Sequence, residues 1–220
     1  RADSVLADNA EPLKNTIANL QVFSEGLARN TGKLDSILAG LEKMTGGAPT
    51  APKTTYDLRA AQGFEAPGPT IKGQLVIPEP TAVAMLETQR MLFSPAKDYP
   101  GFAEFLWADS IPKLLQARLI ESFENYDIAH APLRTLDTGQ ADFQLLIDVR
   151  RFRIAVDSDP TVEIALSAKI LDKDGKVVAA RVFDESRKLA QVEPQAAVAA
   201  FDDAFGRIAR DMVAWTIHSL

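Results

Sequence analysis

The chain has 220 residues, of which 46% are hydrophobic and 25% charged, a balance typical of a globular protein with room for one domain and a smaller appendage. Its net charge of −6 argues against nucleic acid as a partner, because phosphate binding needs clustered lysine and arginine, whereas short charged stretches such as ARLIESFEN and DVRRFR are typical of a solvated face. The absence of cysteine excludes disulfides and thiolate chemistry, and no apolar run reaches the ~18 residues of a membrane-spanning helix.

The first segment carries leucines in a seven-residue register, at Leu6, Leu13, Leu20, Leu27, Leu34 and Leu41. A seven-residue period underwinds a helix and favours packing against other helices, so the pattern predicts a long N-terminal helix over 3–45. Water cannot satisfy such a stripe, and we expect neighbouring protein or lipid to cover it. The residues of this apolar stripe are Leu13, Ile17, Leu20, Phe23, Leu27, Leu34, Ile37, Leu38, Leu41 and Met44.

Glycine and proline mark the end of this segment, since GGAPTAPK at 46–53 is typical of a linker. The predicted organisation is therefore a tail helix at 1–46, a linker at 47–55 and a domain at 56–220. Apolar segments broken by proline and turn residues then predict four short strands, at 54–60, 74–80, 90–93 and 101–108.

An amphipathic helix is predicted in the middle of the domain, at SIPKLLQARLIESFEN (110–125). Ser110 is the expected cap and Pro112 falls in the first turn, a position that suits proline. The apolar face predicted for this helix consists of Leu115, Leu119 and Phe123.

The last part of the chain alternates apolar and polar residues with a period of two, which predicts strands at 141–157, 161–172 and 176–189. The turn KDG joins the last two strands, and a closing amphipathic helix is predicted from about 194 to 220. We therefore expect an α+β fold with a long N-terminal helix, then a mainly antiparallel β-sheet with two amphipathic helices packed on one face.

The sequence offers no group of residues suited to catalysis or to metal binding. Its two histidines, His130 and His218, lack ligand spacing, and no nucleophile elbow, dinucleotide-binding motif or P-loop is present. DKDG at 172–175 lacks the glutamate of a calcium loop and is typical of a hairpin turn. The acidic pair Asp202-Asp203 falls on the polar face of the closing helix, where we expect simple solvation. We therefore predict no catalytic residue, no metal and no cofactor, and a hydrolase is disfavoured for want of a nucleophile with its base.

Several short motifs follow the linker, and the most specific is Trp107-Ala108-Asp109 with Ile111-Pro112 ahead of the helix at 110–125. The other motif residues are Tyr56 and Leu58, Leu86 with Arg90-Met91-Leu92, Ala141 to Leu145 with Phe152, and Trp215. From Tyr56 onward the chain resembles the auxiliary component of ABC-type intermembrane lipid transporters, the family that includes the PqiC-type outer-membrane lipoproteins. The resemblance implies the fold of that family and a role in transport, without an enzymatic activity.

Residues 6–46 resemble a different protein, the tail helix that follows the MCE domain in the MlaD-like substrate-binding subunits of the same transporters. Auxiliary components normally carry a lipidated cysteine near the N-terminus, and this sequence has none. The two resemblances together imply a natural fusion, with a membrane anchor and an MCE domain ahead of this tail and the auxiliary domain. The opening RADSVLADN, without methionine, agrees with a trimmed or mature piece.

The resemblance implies a periplasmic protein, tethered to the inner membrane, in an MCE-type ABC transporter that moves lipids between the inner and outer membranes. Its partners would be other transporter subunits, copies of itself and phospholipid, with the tail helix joining a helical bundle or conduit. Polar interruptions at Thr16, Ser24, Asn30 and Thr31 suit a wide bore better than a tight dimer seam. The alternative is a structural periplasmic adaptor that docks transporter subunits without touching lipid.

Overall fold

A computed structural model describes residues 53–64, 68–135, 140–157 and 159–220 of the chain. The strands in these ranges are β1 Thr54–Tyr56, β2 Leu75–Val76, β3 Thr81–Ala82, β4 Phe93–Ser94, β5 Phe105–Trp107, β6 Phe143–Ala155, β7 Thr161–Asp172 and β8 Val177–Lys188. The helices are α1 Ile111–Asp127 and α2 Pro194–Ser219, with 3₁₀ helices at Ala84–Leu86 and Ile128–His130. The predicted tail helix with its apolar stripe, and the linker as far as residue 52, lie outside the described residues.

Three long strands make up most of the main sheet, with β7 antiparallel to both β6 and β8 and β8 at one edge. They were predictable because apolar and polar residues alternate along them, as a sheet with one buried face requires. Asp172 closes the β7–β8 turn, since its carboxylate accepts hydrogen bonds from the N–H groups of Asp174 at 3.0 Å and Lys176 at 2.9 Å. Gly175 in this turn has a φ of 77°, a left-handed conformation that glycine adopts readily.

The expectation of a mainly antiparallel sheet is wrong. The sheet has six strands and is mixed, because β2, β3 and β4 each pair with β6 in parallel. Periodicity could not reveal their direction, since each of these strands has only two residues. Their direction follows from α1, which lies between them and β6 in the chain and supplies the crossover that parallel pairing requires. The described residues contain two α-helices, one in mid-chain and one at the C-terminal end.

The strands β1 and β5 form a separate two-stranded sheet and run parallel, with Tyr56 opposite Trp107. The N–H of Ala108 donates to the carbonyl of Tyr56 at 2.7 Å and extends this pairing beyond the end of β5. Both strands are shorter than the sequence predicts, because their parallel pairing extends over three residues of each strand.

Both helices share one hydrophobic core with the inward side chains of the main sheet. α1 buries its predicted apolar face at Leu115, Leu119 and Phe123. Ser110 occupies the N-cap position, as predicted, but its side chain makes no capping hydrogen bond. Its N–H donates to the carboxylate of Asp109 at 2.7 Å. Within the described ranges, neither helix is both long and apolar enough to cross a bilayer.

A β-bulge interrupts β6, because its register with β7 shifts between Val149 and Arg151 and leaves Arg150 as the extra residue. Val149 and Phe152 are three residues apart, a spacing that would place them on opposite faces of a regular strand. With the extra residue between them, both point into the core, where they are 2% and 1% exposed. The bulge therefore restores the inward face of β6 and turns consecutive arginines away from the core.

Candidate binding groove at the sheet edge

The outer edge of β6 has an opening between two of its short partners. β3 pairs with β6 as far as Val149, and β4 pairs with it again from Ile154. On this side of β6, no strand in the described part of the chain pairs with residues 150–153. An open groove of about 890 Å³ lies between residues 150–153 and segment 83–103, and we call it the edge groove. This volume falls within the roughly 300–1,000 Å³ that is usual for small-molecule sites.

Apolar side chains make up the floor of the edge groove, namely Leu86, Met91, Leu92, Phe93, Phe102 and Phe152. Two further apolar side chains, Val83 and Met85, stand at its wall and are 62% and 66% exposed. Large apolar side chains that remain exposed beside an apolar cavity are a usual mark of a binding surface.

Aromatic contacts fix the shape of this floor. Phe93 stacks on Tyr99 with ring centroids 4.3 Å apart and meets Phe102 edge to face at 5.0 Å. Phe102 also contacts Phe105, with centroids 5.9 Å apart, and this contact joins the floor to the main core. Because offset-stacked and edge-to-face pairs hold rings in preferred orientations, we infer that the floor is preformed.

Five cationic side chains line the edge groove: Arg90, Lys97, Arg150, Arg151 and Arg153. Two of them already have anionic partners on neighbouring strands. Arg151 pairs with Asp184 on β8, and Arg153 donates to Glu163 on β7 at 2.9 Å. These two arginines therefore contribute little positive charge to the groove.

The other three, Arg90, Lys97 and Arg150, form what we call the cationic rim. Arg150 has Asp148 near it, but at 4.0 Å the pair is at the limit of an ion pair. Among the described residues, no carboxylate lies within ion-pair distance of Arg90 or Lys97. The carboxylate that lines the groove belongs to Asp98, so the margin of the groove is net positive.

Trp107, from the most specific motif of the sequence, is a centre of packing and does not line the groove. It is 1% exposed and meets the rings of Phe105, Phe152 and Phe201 edge to face, at 5.2, 5.5 and 5.3 Å. Its backbone N–H donates to the carbonyl of Gln89 at 2.7 Å. Its indole Nε1 has no hydrogen-bond partner among the described residues.

Most other motif residues also serve packing. Tyr56 stacks on Phe105 at 4.5 Å, and Leu58 and Pro112 are buried. Trp215 meets Phe183 edge to face at 5.6 Å, whereas Asp109 is exposed at the start of α1. Arg90 is the motif residue of the predicted site set that lines the edge groove. The residues of the predicted apolar stripe lie outside the described ranges, so their role stays a prediction.

A second, more polar cleft of about 440 Å³ lies beside α1. Arg118 in this cleft donates to Asp57 at 3.0 Å and pairs with Glu121. Burial acts to lower the pKa of Arg118, but its hydrogen bonds to these two carboxylates outweigh burial and the pKa is raised. Because these charges already satisfy one another, we interpret the cleft as a structural ion cluster.

Asp202 and Asp203 on α2, which the sequence places on a solvated face, have different environments. The side chain of Asp202 is largely buried, and burial raises its pKa although the N–H of Arg59 donates to it at 2.8 Å. A hydrogen bond from Arg187 lowers the pKa of Asp203, which remains half-exposed. The expectation of simple solvation is therefore wrong for Asp202.

Both histidines make contacts close to their own positions in the chain. His130 Nδ1 contacts Asp127 at 2.7 Å near the end of α1, and His218 Nδ1 contacts the carbonyl of Ala214 at 2.7 Å. In the described part of the chain, no three histidine or acidic side chains are grouped so as to hold a metal ion.

The sequence analysis named Leu86, Arg90, Met91, Leu92 and Phe152 as motif residues but did not predict that they line one groove. It assigned DVRRFR to a solvated face, although the odd spacing between Val149 and Phe152 was a signal for the bulge. The apolar wall at Val83 and Met85 gave no periodic signal, because it lies on a single 3₁₀ turn. Lys97 lies in a loop, where sequence patterns do not fix side-chain neighbours.

The amino-acid sequence of residues 56–213 matches the family described as ABC-type transport auxiliary lipoprotein component. A protein of Bradyrhizobium diazoefficiens, bll6063, is 69% identical to the chain over 217 residues. This similarity covers 99% of the chain and 59% of that protein, so the chain spans little more than half the length of this curated relative.

Two solved structures resemble the fold. The crystal structure of protein XCC0632 from Xanthomonas campestris has a TM-score of 0.63 and 27% identity, and the match covers 76% of this chain and 95% of that one. A second crystal structure, of an uncharacterized protein, has a TM-score of 0.57 and 14% identity, with 76% of this chain and 99% of that chain covered.

Proposed function

The chain belongs to the family of ABC-type transport auxiliary lipoprotein components, and from this premise we propose that it is a non-enzymatic envelope component of an MCE-type ABC transporter that moves lipids between the inner and outer membranes. The observation that carries the proposal is the family match, which extends over residues 56–213. The similarity of residues 6–46 to an MCE subunit tail supports the finer assignment. The edge groove, with its apolar floor and cationic rim, also suits the binding of an amphiphilic molecule.

In this proposal the segment 6–46 and the domain have separate tasks. The apolar stripe contacts other transporter subunits, copies of the same chain or the lipid itself. The domain at 56–220 docks to the transport assembly or steadies it. We further propose that the whole protein is periplasmic and tethered to the inner membrane.

Affinity purification tests the membership of a transport assembly. The full-length protein, tagged at its C-terminus and extracted from bacterial membranes with mild detergent, should co-purify with the ATP-binding and permease subunits of one ABC transporter. Mass spectrometry identifies the partners, and a tagged periplasmic protein of another family is the control. Recovery of the tagged protein without any ABC subunit, after chemical cross-linking as well as before it, contradicts the proposal.

Substitution in the apolar stripe separates lipid conduction from simple docking. We expect Leu20→Gln with Leu27→Gln and Leu34→Gln to leave the chain folded and to slow the transfer of labelled phospholipid between membranes. Circular dichroism checks folding, and lipid analysis of the separated membranes measures transfer. Loss of folding in the isolated 220-residue chain supports the adaptor, in which the segment packs on protein and no lipid is touched.

A further inference from the structure

We infer that the edge groove binds one acyl chain of an anionic glycerophospholipid and holds the phosphate at the cationic rim. The inference deepens the proposed function, because it names a lipid and a site on the domain itself. It stands on the shape and charge of the groove and needs no contribution from the segment ahead of the domain.

The apolar part of the groove suits a flexible hydrocarbon chain. Its floor is built from buried and half-buried side chains, and Val83 and Met85 add apolar surface that is otherwise exposed to water. Covering such surface is favourable in proportion to the apolar area removed from water. The volume of about 890 Å³ is open along one side, so a chain can enter while the rest of the lipid stays outside.

The polar part of the groove suits a phosphate. Arg90 and Lys97 lack anionic partners among the described residues, and Arg150 has only a distant one in Asp148. Arginine and lysine side chains bind phosphate oxygens through charge-assisted hydrogen bonds, which are stronger than neutral ones. Charge complementarity therefore selects an anionic head group over a zwitterionic one.

The backbone of β6 adds one donor beside the bulge. The N–H of Ile154 donates outward to the carbonyl of Leu92 at 2.8 Å, so the alternation of the strand directs the N–H of Phe152 toward the same side. Within the described chain no β-strand lies opposite Phe152 on that side. An ester carbonyl of a glycerophospholipid is an acceptor of the right kind for this position.

Calorimetric titration of the purified 220-residue chain with short-chain lipid tests the inference. Dioctanoyl-phosphatidylglycerol, used below its micelle-forming concentration, should bind with one lipid per chain. Dioctanoyl-phosphatidylcholine has the same chains and no net charge, and we expect it to bind about tenfold more weakly because its choline cation offsets the attraction between the cationic rim and the phosphate.

Paired variants test the cationic rim and the apolar wall separately. Arg90→Gln with Lys97→Gln should weaken phosphatidylglycerol binding about tenfold and phosphatidylcholine binding by a smaller factor, because the choline cation already offsets part of the attraction between the rim and the phosphate. The matched control, Lys173→Gln with Lys176→Gln, removes two charges from the turn at the far end of β7 and should change neither. Ala103→Trp, at an exposed position of the groove wall, should abolish binding of both lipids, whereas Ala214→Trp on α2 should have no effect.

Circular dichroism checks that each variant is folded. Met85→Gln, at a side chain that is 66% exposed, gives a second test of the apolar wall and should weaken both lipids. Equal affinity of the chain for the two lipids overturns the inference. So does unchanged lipid binding by the Arg90→Gln, Lys97→Gln variant or by the two wall variants, Ala103→Trp and Met85→Gln. Octanoate that binds as tightly as phosphatidylglycerol overturns the choice of a glycerophospholipid.

The two proposals fail in different ways. A chain that binds no phosphatidylglycerol but still co-purifies with ABC subunits overturns the groove assignment and leaves the proposed function standing. If the chain binds phosphatidylglycerol in the groove but associates with no ABC transporter, the groove assignment stands and the proposed function is overturned.

Discussion

Trp107 stands where three aromatic rings meet, and its substitution should test how much of the core depends on one residue. We expect Trp107→Ala to lower the free energy of unfolding by about 3–5 kcal/mol, because it leaves a large cavity. Trp107→Phe should lower it much less, since phenylalanine keeps most of the ring contacts and removes the unpaired indole N–H. Urea unfolding followed by circular dichroism measures both.

Trp215→Phe is the control for Trp107, because Trp215 is only half-buried against Phe183. It should change the free energy of unfolding by less than Trp107→Ala does. If Trp107→Phe proves as damaging as Trp107→Ala, the indole N–H has a partner that matters and the packing interpretation is wrong.

Asp202 gives a prediction about pH, because burial raises its pKa above the ordinary 3.8. At pH 7 the carboxylate is charged in an environment that disfavours charge, so Asp202→Asn should raise the free energy of unfolding by up to about 1 kcal/mol. Asparagine retains an oxygen that can accept the hydrogen bond from the N–H of Arg59. Thermal unfolding at a series of pH values measures the difference.

The sign of this effect fixes its pH dependence. A carboxyl group with a raised pKa in the folded state loses its unfavourable contribution as the pH falls through that raised value toward 3.8. The advantage of Asp202→Asn should therefore shrink on acidification. Asp203→Asn is the counterpart: its lowered pKa predicts a loss of stability at pH 7 that disappears at the lowest pH values. An advantage of Asp202→Asn that grows toward low pH contradicts this account.

At the scale of elements, the predictable parts are those with a clear period. The predicted bounds of β6, β7, β8, α1 and α2 agree with the structure to within a few residues. Each of these elements buries one face, so its apolar residues recur at a regular spacing over many positions. The bulge in β6 could have been derived from the odd spacing of Val149 and Phe152. The direction of β2, β3 and β4 could not be derived, because a strand of two residues shows no periodicity. Their common partner β6 also comes after α1 in the chain.

Glycine substitutions test how β2 is joined to β6. Gly73 precedes β2 with a φ of 105°, and a side chain added there would bring its Cβ within 2.8 Å of the Asp142 carboxylate. That carboxylate accepts a hydrogen bond from the N–H of Gln74 at 2.7 Å, so it cannot move without loss. Gly73→Ala should therefore lower the free energy of unfolding by at least about 1 kcal/mol more than Gly175→Ala.

Gly175 is the matched control because its φ of 77° is also left-handed, yet nothing lies within 4 Å of an added Cβ. Its substitution reports backbone strain alone, and the difference between the two variants reports the crowding at Asp142. Chemical unfolding of both variants gives this difference. Equal destabilisation by Gly73→Ala and Gly175→Ala would mean that the Asp142 side chain can move at little cost and does not hold β2 against β6.

At the scale of the whole domain, the edge groove joins segments that are far apart in the sequence. Its wall and most of its floor come from residues 83–103, while its other side comes from residues 150–153 beyond α1. Sequence periodicity describes faces within one element and does not show which loop lies against which strand. The family resemblance and several motif residues of the groove could therefore be found from the sequence, but the groove itself depends on the arrangement of β3, β4 and β6.

The connection from β3 to β4 is fastened at both ends. Thr81 Oγ1 donates to the Asp148 carboxylate at 3.1 Å, and the carbonyl of Leu92 accepts from the N–H of Ile154 at 2.8 Å. Between these anchors the connection is held as well, because two of its apolar side chains are buried and the carbonyl of Gln89 accepts from the N–H of Trp107 at 2.7 Å. A stretch with little strand pairing of its own is therefore part of the framework, and an insertion into it should disturb the approach to α1 as well as the edge groove.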